Sequence, residues 1–203
     1  RIAAAREHVR GLTPPVLVVA PTRAAADEFA LSLVGEAGAS FGITRSSVAE
    51  LVTRMALPEL ARSGMAPTAP ISDEAVSARI TDELMANDGL AYFAPVARMP
   101  GFPRALARTL AELRLARVQP SAIFGGAAND DIAALLERAI DERGRAHAVD
   151  YATMLETATR VLKTGAAAQV QQHLVLLDVA ITTDAEAAFV HALVDRARSV
   201  LIT

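Results

Sequence analysis

The chain has 203 residues, 20 basic and 23 acidic side chains, a formal net charge of −3, and no cysteine or tryptophan. A hydrophobic share of 52% supports a core without staples, and the missing cysteine excludes disulfides, cysteine-ligated zinc and cysteine nucleophiles. The near balance of charge argues against a strongly basic DNA-binding surface, and the longest strand-like apolar run, Val16 to Ala20, is far too short to span a bilayer.

A length near 200 residues fits one domain, or one carrying a large insertion. No charged stretch followed by an apolar run opens the chain, so no secretory leader is expected. Arg1 to Arg10 reads as a helix end, broken by Gly11 and Pro14-Pro15. Val16 to Ala20 is a continuous β-branched run of the kind found in buried parallel strands, and it stops at Pro21. Thr22 is placed to cap a helix from Arg23 to Glu36, with Ala26, Phe29, Ala30 and Leu33 at helical spacing and Gly35 and Gly38 at its end. Phe41 to Thr44 reads as a second, shorter strand. Ser47-Val48-Ala49-Glu50 has the S-x-x-E spacing of a capping box, and the helix behind it is expected to end before Pro58. Ser63 to Ser72 holds Gly64, Pro67 and Pro70 and reads as a loop.

The strand signal then vanishes for about a hundred residues. Ser72 is placed to cap a helix with Asp73 and Glu74 in its first turn and Val76, Ile80 and Leu84 on one face. Pro103 suits the first turn of the next helix, whose stripe is Leu106, Leu110 and Leu113, with Arg104, Arg108 and Arg114 off it. Asp131 to Gly144 forms another, with Ile132, Leu135, Leu136 and Ile140 inward. Asp150 starts a helix to Lys163 that turns Tyr151, Met154, Leu155 and Ala158 inward and ends at Gly165. Strand character returns at Leu174 to Asp178; Thr183 or Asp184 caps a helix to Ala197, and Ser199 to Thr203 is a last strand. Strand–helix alternation around a helical block predicts an α/β fold, with a parallel sheet interrupted by a helical insertion.

Thr22 follows a strand and opens a helix, so with the first helical amides it reads either as a phosphate-holding turn or as an ordinary cap. Asp178, at the tip of an apolar strand, has the shape of a Walker B carboxylate, or is a plain turn residue; Val179 after it cannot act as a base. No G-x-x-x-x-G-K-[ST] loop occurs. Nineteen of the 20 basic residues are arginine, and the single lysine, Lys163, sits at a helix end. His8, His147, His173 and His191 are scattered without metal-site spacing, and the Asp130-Asp131 and Asp141-Glu142 pairs read as solvated charge. The arginines from Arg104 to Arg117 read as a solvated helix face interleaved with Glu112, or as phosphate contacts.

Five segments carry a family resemblance. Thr22-Arg23-Ala24-Ala25-Ala26-Asp27-Glu28-Phe29 resembles motif Ia of UvrD/Rep-type superfamily 1 helicases, roughly T-N-K-A-A-x-E-M. Thr44-Arg45-Ser46-Ser47-Val48-Ala49 resembles motif Ib, commonly T-F-H-S-L-A. Val149-Asp150-Tyr151-Ala152-Thr153-Met154-Leu155 is similar to the V-D-F-x-D-L-L element before motif II, and Leu174 to Thr183 falls where motif II, L-V-D-E-x-Q-D, belongs. The stretch from Phe93 to Leu106, with Pro95, Pro100-Gly101-Phe102 and Pro103-Arg104, looks closest to the helicase-like part of bacterial AddB/RecB-type recombination proteins that carry a PD-(D/E)XK nuclease domain.

The resemblance implies a RecA-like, P-loop NTPase-like layer in two parts, 1–62 and 168–203, with the strands near 16–20 and 41–44 in the first part. Residues 63–167 would form the inserted helical subdomain. It implies that Thr22, Arg23, Thr44 and Arg45 face single-stranded DNA, and that Asp178 is what remains of motif II, where Val179 and Ile181 replace the Glu and Gln. Arg23 and Ala24 replace the usual Asn and Lys of motif Ia, and Arg45 and Ser46 the aromatic and His of motif Ib. The expectation is a cytoplasmic segment of a DNA repair and recombination helicase–nuclease. It would lack ATPase activity and need no cofactor itself, with ATP and Mg²⁺ belonging to the longer protein. Its partners would be single-stranded DNA and a nuclease domain or partner helicase subunit, with no membrane. Two alternatives stand beside it: part of an active ATP-dependent helicase whose Walker A loop lies outside this chain, and a protein–protein scaffold docking a nuclease or partner subunit.

Overall fold

A computed structural model describes residues 1–34, 41–165 and 172–203, with Pro70 and Ile71 described by backbone alone. The chain divides into two compact units. The first comprises Arg1–Glu59, Leu155–Thr182 and Glu186–Thr203; the second comprises Leu60–Met154 with Thr183–Ala185. The 167/168 division, and the helix end expected at Gly35 to Gly38, lie outside the described residues.

The first unit is built on a four-stranded, all-parallel sheet. Its strands are β1 (Val16–Ala20), β2 (Ile43–Ser47), β5 (His173–Leu176) and β6 (Ser199–Ile202), in the order β2-β1-β5-β6. All five residues of β1 are buried, as a central parallel strand covered on both faces requires, and this is why its sequence is a continuous apolar run. Side chains alternate across a strand. On one face Val16, Val18 and Ala20 form a core with Ala5 and Val9 of α1 (Ile2–Arg10) and Ala26, Phe29 and Leu33 of α2 (Arg23–Val34). On the other, Leu17 shares a cavity with Leu51 and Met55 of α3 (Val48–Arg62). The remaining helices of this unit are α7 (Tyr151–Thr164), whose first residues belong to the second unit, and α8 (Asp184–Val194).

Several expected boundaries move. The second strand is Ile43–Ser47 rather than Phe41 to Thr44, and Phe41 is 82% exposed. Apolarity is a poor guide at a sheet edge, where the backbone ladder to β1 (Val16 opposite Ile43 through Ala20 opposite Ser47) recruits polar residues equally well. Gly42, at φ +73°, lies against Pro14, where a Cβ would come within 2.5 Å of the proline ring. The capping box at Ser47 forms as expected: the Glu50 N–H donates to Ser47 Oγ (3.2 Å) and the Ser47 N–H to Glu50 Oε2 (3.0 Å). The helix does not stop before Pro58 but runs through it to Arg62. Leu51, Val52, Met55, Ala56 and Leu60 keep a buried helical periodicity across the proline, and burying Leu60 offsets part of its cost. α7 ends at Gly165 as expected, at φ +75°. Arg196 caps that end, its Nε donating to the Leu162 carbonyl (2.8 Å) and its Nη2 to that of Lys163 (3.2 Å). Tyr151, expected to face inward, is 36% exposed. β5 ends at Leu176 and α8 at Val194, each short of its expected end.

The second unit is mainly helical: α4 (Pro70–Ala86), α5 (Phe102–Leu115), a 3₁₀ turn (Pro120–Ala122) and α6 (Ala127–Arg145). Ile80, Leu106, Leu110, Leu135, Leu136 and Ala139 form its core. The expected loop over 63–72 instead contains β3 (Ala66–Pro67), which pairs in parallel with β4 (Ala148–Val149), so strand character is not absent from the middle of the chain. α4 starts at Pro70, and Ser72 does not cap it.

The acidic pairs expected to be solvated are not all so. Asp131 is 4% exposed, and its carboxylate accepts three successive backbone N–H groups, from Ala91 (3.0 Å), Tyr92 (2.9 Å) and Phe93 (2.9 Å). Glu142 is buried against Arg79 (2.7 Å). Arg114, expected on a solvated face, is largely withdrawn from solvent: its Nε donates to Asp150 Oδ2 (3.1 Å) and its Nη2 to Thr153 Oγ1 (3.0 Å). Asp150 also caps α7, accepting the Thr153 N–H at 2.8 Å.

Candidate nucleic-acid interface

Ligands in open α/β sheets bind beyond the carboxyl ends of the strands. In the first unit, β1 delivers Thr22 and Arg23 to that edge. Thr22 caps α2, its Oγ1 accepting the Ala25 N–H at 3.1 Å. Arg23 is half-exposed in the first turn of α2, and its Nε donates to Asp27 Oδ1 (3.1 Å) one turn on. Its Nη1 lies 3.9 Å from Glu50 Oε2 in the α3 capping box.

Thr44 and Arg45, expected at the carboxyl end of the second strand, lie inside it instead, opposite Leu17 and Val18, and Ser46 and Ser47 form its carboxyl end. Alternation sends the two side chains to opposite faces. Thr44 lines the cavity with Leu17, Leu51, Met55 and Arg54, away from the other candidates. Arg45 lies on the α2 face, and its Nη1 reaches the same Asp27 Oδ1 at 3.4 Å. Its Nε is buried without a hydrogen-bond partner among the described residues. Arg54 lies on the Thr44 face, lining the same cavity, with Nη2 3.5 Å from Ser46 Oγ.

Thus Thr22, Arg23 and Arg45 gather around the first turns of α2, Thr44 does not, and Asp27 is the junction. The spacing of Arg23 and Asp27, four residues apart on a helix, is a sequence signal for their pairing. Nothing local signals that Arg45 meets the same oxygen, because parallel strand pairing brings it there.

Asp178 belongs to a different place. It lies two residues beyond β5 with φ 45°, its N–H donates to Thr203 Oγ1 (3.2 Å), and its exposed carboxylate lies 3.9 Å from Arg1 Nη1. It lines a cavity of ≈ 280 Å³ beyond β1, β5 and β6, together with Arg6, Glu28, Phe29 and Thr203. Among the described residues, no three of His, Asp and Glu gather as a metal site, and no helix is long and apolar enough to cross a membrane. No model of a known protein family matches the chain, and no curated protein is similar to it beyond chance.

Proposed function

We infer that the chain is a RecA-like, helicase-like element of a DNA repair and recombination helicase–nuclease, and that it guides single-stranded DNA without hydrolysing ATP. The observation that carries this reading is the convergence on Asp27 of Arg23, at the start of α2, and Arg45, inside β2, beside the Thr22 cap that follows β1. Guanidinium and hydroxyl groups so placed contact backbone phosphates, which position a strand without reading its sequence. Two further features support the reading. The segment that resembles motif Ia opens α2 just beyond β1, the one that resembles motif Ib runs from β2 into α3, and Asp178 follows β5, the neighbour of β1. Val179 after Asp178 supplies no carboxylate to orient an attacking water, which favours a guiding role over hydrolysis.

The expected behaviour is weak, sequence-independent binding that falls steeply with salt. Fluorescence anisotropy with a 5′-labelled oligothymidine at low salt checks it. Arg23→Ala combined with Arg45→Ala is expected to weaken binding about tenfold or more and to flatten the salt slope by about 1.4, at about 0.7 per phosphate lost from a single strand. Binding unchanged in that double variant would overturn the site.

A further inference from the structure

Both candidate phosphate-binding arginines are already engaged by one oxygen. Asp27 Oδ1 lies 3.1 Å from Arg23 Nε and 3.4 Å from Arg45 Nη1, and all three side chains are between about a third and a half exposed (Asp27 38%, Arg45 39%, Arg23 48%). A carboxylate oxygen between two guanidiniums offers them the same charge and acceptor chemistry as a phosphodiester oxygen. Resting on the reading of this site given above, we propose that Asp27 is a built-in counter-anion that a nucleic-acid phosphate must displace, and that it sets the affinity and salt dependence of the site.

Three features of the geometry carry this. First, the pairs are accessible, so an incoming phosphate can reach the guanidiniums from solvent. Second, the Asp27 carboxylate makes no other hydrogen bond or ion pair among the described residues; it neither caps a helix nor holds a loop, so releasing the arginines costs little structure. Third, the other carboxylate near the site is committed elsewhere: Glu50 Oε2 accepts the Ser47 N–H at 3.0 Å and meets Arg23 only at 3.9 Å. Arg54, whose Nη2 contacts Ser46 Oγ, lies on the opposite face of β2 with Thr44 and pairs with neither Asp27 nor the two arginines among the described residues. The displaced carboxylate stays on α2 beside the bound phosphate, so the repulsion persists in the complex and keeps binding weak.

Asp27→Ala keeps a helix-compatible residue at this partly exposed position of α2. In the same anisotropy assay it is expected to bind oligothymidine about three- to tenfold more tightly than the unmodified chain at low salt. Asp27→Glu, which retains the charge, is expected to bind as the unmodified chain does. Glu28→Ala removes the same unit of charge from the neighbouring residue without touching either guanidinium, and is expected to change binding far less. In the Arg23→Ala, Arg45→Ala background the gain from Asp27→Ala should vanish, because the coupling runs through those two residues. An Asp27→Ala gain no larger than that of Glu28→Ala, a loss of binding in Asp27→Ala, or a gain that survives in the double-arginine background would each overturn the counter-anion role while leaving the site standing. Unchanged binding in the double-arginine variant would instead overturn the site itself.

Discussion

Asp131 shows how much one side chain can organise. Three successive amides, of residues 91 to 93, point at one carboxylate that is almost entirely buried. Charge-assisted bonds of this kind are roughly twice as strong as neutral ones, and removing the acceptor leaves buried donors unsatisfied. Asp131→Ala is therefore expected to destabilise the second unit by about 3 kcal/mol, read as a lower urea midpoint. Asp131→Asn, which keeps one acceptor oxygen but not the charge, should lose less. The pair Asp130-Asp131 looks uniform in sequence, yet only the second turns inward, because helical periodicity sets residue 131 beside the buried Leu135 and its neighbour on the exposed side. Burial of a carboxylate is invisible in composition, since carboxylates are almost never buried unless paired or hydrogen-bonded.

The helix α3 pits local rules against packing. Its start obeys them: the Ser47–Glu50 box forms in both directions. Ser47→Ala is expected to cost about 1 kcal/mol, measurable by chemical denaturation. Its interior breaks them, since Pro58 lies inside the helix and is exposed, while Leu60 beyond it is buried. An interior proline costs about 3 kcal/mol, and a buried leucine recovers a large part of that. Pro58→Ala is thus expected to raise stability by about 1–3 kcal/mol without moving the helix ends, seen as a higher midpoint at unchanged m-value. In β2 the competition runs the other way. The apolar Phe41 suggests a strand start that the backbone pairing ignores, and this shift of the strand places Arg45 inside it, on the α2 face.

Among the described residues, many arginines are held in ion pairs with carboxylates. Within the second unit Asp150 is shared by Arg114 at 3.1 Å and Arg143 at 3.9 Å, and Arg143 also donates to Asp73 at 2.9 Å. Burial pushes the Asp150 carboxyl up, but the Arg114 guanidinium and the hydroxyl and backbone N–H of Thr153 outweigh it, so the group titrates below its ordinary value of 3.8. A carboxyl depressed in the folded state contributes stability that is fully present above its unfolded value, near pH 4, and is lost as pH falls through the folded value. Acid unfolding below pH about 4 should therefore be steeper in the unmodified chain than in Asp150→Asn. At neutral pH that variant should be less stable by about 2 kcal/mol, since it leaves the part-buried Arg114 without its charge-assisted hydrogen bond.

The apolar strand β1, the Thr22 and Ser47 caps, the buried faces of α5 and α6 and the Gly165 stop were all legible in one dimension. Each rests on interactions within about a dozen residues: periodicity, hydrogen bonds from side chain to nearby backbone, and the freedom of glycine at positive φ. The parallel sheet was legible from the alternation of strands and helices, because parallel neighbours need a crossover between them. The order β2-β1-β5-β6 was not, nor the placing of Arg45 inside a strand, the meeting of Arg23 and Arg45 at Asp27, the burial of Asp131 and the pairing of Arg114 with Asp150. Those depend on which segments far apart in sequence come to lie side by side, and the backbone ladder that aligns them carries no side-chain signature. A net charge of −3 argues against a strongly basic DNA-binding surface, but it leaves open whether two arginines face solvent, each other or a shared carboxylate. That is settled by the lateral pairing of β1 with β2, which sets the side chain of Arg45 over the first turns of α2.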